Sequence, residues 1–101
     1  MPQNYKPLPD SLTIKESDIQ GLGVFAIKDI ANDVDLGLTH IEVDDEVIRT
    51  PLGGFINHSD EPNCIKVKET VSVDGDRYTL YTLRDIKVGE EITLRYTLYN
   101  V

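Results

Sequence analysis

The stretch Cys64–Leu83, CIKVKETVSVDGDRYTLYTL, constrains the fold of this chain more than any other. Ile65 and Val67 alternate with Lys66 and Lys68, the alternation resumes at Tyr78 and Leu80, and Asp74-Gly75 stands between the two runs. Period-two alternation around Asp-Gly predicts two antiparallel strands and a tight turn, because such turns demand residues that tolerate positive φ.

The same punctuation recurs along the chain. Gly and Pro break it at short intervals, and between them lie runs rich in Val, Ile, Thr, Leu and Tyr. The predicted strands are Leu12–Lys15, Gly23–Lys28, Asp35–Val43, Cys64–Val73, Arg77–Leu83 and Glu91–Tyr96. DIKVGEE, with Gly89 at its bend, is a second turn signal, and Glu90-Glu91 opens the next strand. No window carries a helical apolar face, so the expected class is mainly β. At 101 residues two separate cores would each be too small, which predicts a single domain over 1–101, flexible only within residues 1–10.

Composition narrows the function. Ten Lys and Arg against eighteen Asp and Glu give a net charge of −8, which disfavours direct contact with nucleic acid and favours a basic partner. No apolar run approaches the roughly 20 residues of a membrane helix, and the start lacks the layout of a signal peptide. The reading is therefore a cytoplasmic or otherwise intracellular protein without a membrane partner. A lone Cys64 forms no internal disulfide, and two histidines make no closed zinc site, so no metal is expected.

Three segments carry chemistry. In GLGVFA, Gly21 and Gly23 leave main-chain polar groups open to a ligand because no Cβ blocks approach, although a tight turn uses glycines in the same way. In FINHSDEPN, the Asn57 amide can donate and accept, and His58 offers main-chain groups as well as its ring. A turn-capping histidine would fit there too, and no Ser-His-Asp order accompanies it. In GEEITLRY a strand ends on Tyr96, an amphipathic residue whose hydroxyl reaches for a partner.

In this order and spacing, GLGVFAIKDI, FINHSDEPNC and LYTLRDIKVGEEITLRY resemble the signature segments of the SET-domain family of protein-lysine methyltransferases. The resemblance implies a β-clip fold in which a C-terminal segment passes beneath a loop as a pseudoknot. It implies that the main chain at Gly21, Leu22 and Gly23 holds S-adenosylmethionine, with Asn57 on its methionine part and the His58 main chain on its adenine. Tyr96 matches the catalytic tyrosine, and Tyr81, Tyr78 and Tyr99 are candidates for the lysine channel, with Tyr99 preferred because it follows the final motif. Packing roles for Tyr81 in its strand and for Tyr78 as a cross-strand surface partner are equally open.

The chain also departs from the family pattern. Only residues 24–56 separate the glycine segment from Asn57, too few for the helical subdomain that walls the peptide groove in larger members. A homodimer whose second subunit completes the groove is one solution. Gly54, Arg95 and Asp60 stand where an arginine, an acidic or small residue, and a zinc-binding cysteine are common. The resemblance thus implies a minimal lysine methyltransferase acting on a basic protein or peptide. The alternative is a catalytically silent module of the same fold that binds a protein or peptide.

Overall fold

The computed structural model describes residues 8–44, 46–72 and 75–95. In chain order these form β1 (Leu12–Glu16), β2 (Leu22–Ala26), β3 (Asp35–Val43), β4 (Glu46–Arg49), α1 (Pro51–Phe55), β5 (Asn57–His58), β6 (Cys64–Ser72), β7 (Gly75–Thr82) and β8 (Glu91–Leu94). The sheet runs β1-β2-β8-β6-β7-β3-β4, and β5 pairs with β8 off this path.

The predicted hairpin is β6–β7, antiparallel from Cys64↔Thr82 to Ser72↔Gly75. Its alternation is read out as faces: Cys64 and Leu80 are buried while Ile65 and Val67 are exposed. Tyr78 is also buried. A surface role is corrected accordingly: its ring lies edge-on to His40 and beneath the Lys66 ammonium, 5.3 Å from the ring centre.

β8 organises the site. It is antiparallel to β2 through Val24↔Ile92 and parallel to β5 and β6 through Asn57↔Thr93, His58↔Leu94 and Cys64↔Leu94. Its Ile92, Thr93 and Leu94 are all buried, as a strand covered on both faces requires. Asn63 clips it in place: Thr93 N–H donates to Asn63 Oδ1 (2.8 Å), and Asn63 Nδ2 donates to Glu91 O (2.8 Å). A strand that enters between segments far earlier in the chain is the arrangement the pseudoknot expectation calls for. The crossing beyond Arg95 lies outside the described residues.

Three elements escaped the sequence reading. β4 is an edge strand with every residue exposed, so no alternation marks it. β5 has two residues. α1 corrects the expectation of no helix: Thr50 caps it, accepting from Gly53 N–H at 3.2 Å, and Pro51 opens it. Its Gly53 lies against the main chain of β3, where an added Cβ would stand 2.9 Å from the Thr39 carbonyl carbon. Near the start, Leu8 packs against the core and Pro9 O accepts from Leu12 N–H. Residues 1–7 lie outside the described residues.

Candidate functional site

The site begins as a turn. Ser17 leaves β1 and its Oγ accepts the Ile19 N–H (2.9 Å), while its own N–H donates to Gly21 O (2.8 Å), closing the loop 17–21. Gly21 completes it at φ +47, in the left-handed region where a Cβ is costly. The next glycine has a different reason. A Cβ at Gly23 would overlap the Glu91 carboxylate and stand 3.1 Å from Asn57 Nδ2.

Opposite this loop, α1 delivers the chain into β5. Ser59 N–H donates to Leu94 O (3.1 Å), and the alternation of a parallel ladder turns the main-chain groups of His58 away from β8. The two segments face each other across an open cleft of about 520 Å³, lined by Gln20, Gly21 and Leu22 on one wall and by Phe55, Asn57 and His58 on the other. Its size is that of a small-molecule or cofactor site. The His58 ring stands at the rim with Nε2 3.0 Å from Asp60 Oδ1.

Asn57 joins the two walls. Its Nδ2 lies 2.8 Å from Glu91 Oε2, 3.1 Å from Ser17 Oγ and Gln20 O, and 3.2 Å from Leu22 O. Ser17 Oγ in turn lies 2.7 and 2.9 Å from the two oxygens of Glu91. Sequence reasoning named Asn57 but passed over Ser17 and Glu91 as site residues. A glutamate opening a strand whose next three residues are buried was the available signal.

Of the residues expected to act, Gly21, Leu22, Asn57 and His58 share this cleft, and Gly23 stands behind it against Glu91. Tyr81 does not line it; it is half-buried on β7, opposite Ile65 of β6 and Asp35 of β3. Tyr96 and Tyr99 lie outside the described residues. A second cleft, about 430 Å³, is lined by Pro62, Cys64, Leu83, Leu94 and Arg95.

Two buried ionisable groups stand away from their usual values. Burial pushes the Cys64 thiol up to about 12, so it is protonated and poorly nucleophilic at neutral pH. Burial, reinforced by Lys66 and Arg49, lowers His40 to about 4, which leaves its imidazole neutral. Among the described residues no three His, Cys, Asp or Glu side chains gather as a metal set, and no helix is long and apolar enough to cross a membrane.

A SET domain model matches residues 39–97, more than half of the chain, so the chain belongs to the SET-domain family. It is 41% identical over 59 residues to the histone-lysine N-methyltransferase set1 of Dictyostelium discoideum, covering 54% of this chain and 4% of that protein. To an H3 lysine-4 specific histone-lysine N-methyltransferase of Emericella nidulans it is 44% identical over 53 residues, covering 52% and 4%. The fold matches the crystal structure of a candidate histone methyltransferase from Plasmodium falciparum, with a TM-score of 0.72 at 20% identity over 87% of this chain and 94% of that one. The chain thus spans about 4% of the length of these curated relatives.

Proposed function

We propose that this chain is a protein-lysine N-methyltransferase that uses S-adenosylmethionine. The observation that carries the reading is the cleft between the 17–22 turn and the 55–58 segment, with the Asn57 amide spanning its walls. The residues present suit the cofactor. The Gly21 turn brings main-chain polar groups to one wall, the His58 main chain faces away from β8 on the other, and Asn57 Oδ1 has no partner among the described residues. When bound, S-adenosylmethionine supplies an electrophilic methyl group to an amine.

The chain's part is alignment and electrostatics. Gly21, Leu22, Gly23, Asn57 and the His58 main chain hold the cofactor, and Tyr96 orients the acceptor amine. A lysine has a pKa near ~10.4 in water, so an apolar channel is needed to favour its neutral form. The named curated relatives are histone-lysine methyltransferases, which supports a lysine in a basic protein or peptide as acceptor and an intracellular setting. The net charge of −8 attracts such a segment over a Debye length of about 8 Å and repels nucleic acid.

A second reading, a silent binding module, draws on the five-residue α1 as the only helix between β2 and Asn57 among the described residues. A homodimer that completes the groove would reconcile this feature with catalysis. Calorimetric titration with S-adenosylmethionine, repeated on Asn57→Ala, tests the cofactor site. Micromolar binding abolished by the substitution is expected; no binding at millimolar cofactor overturns it. Transfer of labelled methyl to a lysine-containing basic peptide, lost in Tyr96→Phe with cofactor binding retained, separates enzyme from module.

A further inference from the structure

The carboxamide of Asn57 has two chemically opposite ends, and its neighbours decide which end faces the cleft. The nitrogen is surrounded by oxygens: Glu91 Oε2, Ser17 Oγ, Gln20 O and Leu22 O, all within 3.2 Å. The two main-chain oxygens and the carboxylate can only accept, so a reversed amide would set Oδ1 against acceptors that offer it no proton. Ser17 cannot relieve that conflict. Its single proton is directed to Glu91, and its oxygen already accepts from Ile19 N–H.

We propose that Glu91, with Ser17, is a positioning pair that fixes the polarity of Asn57, so that the cleft presents the acceptor Oδ1 to the α-ammonium of the cofactor. This rests on the S-adenosylmethionine reading above. Glu91 does not reach the cleft lining; it acts through Asn57. Gly23 belongs to the same device, since any side chain there would displace the Glu91 carboxylate. The assignment also explains why a glutamate opens an otherwise buried strand: an acceptor-only group is required at that point, and an amide would not serve.

Glu91→Gln is the test, because it conserves shape while replacing the acceptor-only carboxylate and its charge with an amide; Ser17→Ala, which removes no charge, separates loss of polarity control from loss of Coulombic attraction. A glutamine oxygen in the Oε2 position can still accept from both Ser17 (2.9 Å) and Asn57 (2.8 Å), but the amide nitrogen then takes the Oε1 position, 2.7 Å from Ser17 Oγ, and donates where the Ser17 proton was accepted. Calorimetry would compare S-adenosylhomocysteine with its analogue lacking the α-amino group, on wild type, Glu91→Gln and Ser17→Ala, each first checked for a cooperative thermal transition.

The expected result is about a tenfold loss of affinity for S-adenosylhomocysteine in Glu91→Gln and about threefold in Ser17→Ala, with less than a twofold change toward the deaminated analogue. Equal losses toward both ligands would show a merely structural role and overturn the proposal, as would no loss toward either. If wild type binds neither ligand, the cofactor reading falls and the assignment falls with it. If wild type binds both equally, the cofactor reading stands and only the polarity argument fails.

Discussion

Thr39 on β3 and Glu91 on β8 each gather a polar junction, and the two are built from opposite materials. At Thr39 the hub is a main-chain carbonyl, which accepts from the Thr50 hydroxyl (3.1 Å) as well as from main chain. The main-chain donor is Thr50 N–H (3.0 Å), and the turn of α1 at Gly53 presses against the same carbonyl. Around Glu91 the joining is done by side chains, with Ser17 and Asn57 on the carboxylate and Asn63 on the carbonyl. Main-chain junctions yield little when crowded, whereas a side chain can swing away and leave the fold standing with its binding geometry lost.

The sharpest test of this contrast is Gly53→Ala. The new methyl meets the β3 main chain, and a loss of about 3 kcal/mol or more in chemical denaturation is expected. A cost below about 1 kcal/mol would break the comparison.

Next comes His40, beside Thr39. Its folded-state pKa is lowered from 6.5 to about 4 by burial, with Lys66 and Arg49 adding to the shift. Between those values the unfolded chain takes up a proton that the folded chain refuses, so stability rises with pH through the window and is lost as pH falls. The loss from pH 6.5 to 4 should reach about 2–3 kcal/mol, and His40→Gln should flatten that part of the denaturation profile.

On the β8 side, Asn63→Ala strands the Thr93 N–H and the Glu91 carbonyl, at a cost of about 2 kcal/mol. The smallest effect on stability belongs to Gly23→Ala, about 1 kcal/mol, because the Glu91 carboxylate moves rather than a main chain. Its effect on cofactor affinity should exceed its effect on the melting temperature. If Gly23→Ala unfolds the protein as readily as Gly53→Ala, the distinction between the two junctions is wrong.

The contrast also explains what could be read from sequence. The β6–β7 hairpin was legible because its signal is local: alternation on both sides of Asp74-Gly75. Strands β1, β2, β3 and β8 emerged within a few residues of their bounds for the same reason. β4 and α1 did not, because exposed Glu46–Arg49 has no buried face and two glycines in a five-residue helix erase periodicity. Gly21, Leu22, Gly23, Asn57 and His58 were reached through family resemblance. The Ser17–Glu91 contact spans 74 residues, and no local pattern encodes a partner at that distance.

The central position of β8 has a consequence for how the chain becomes folded at all. Its partners β2, β5 and β6 all precede it in the chain, and β2 is separated from it by every other strand except β1. During synthesis, the pairing edges of β2 and β6 must therefore wait unpaired until residues 91–94 emerge. Loop closure of that length comes before any reward from pairing, so folding should be slow for a domain of this size. The interval is also the one in which a nascent chain offers bare strand edges to its neighbours, making it the stage at which a chaperone would matter most.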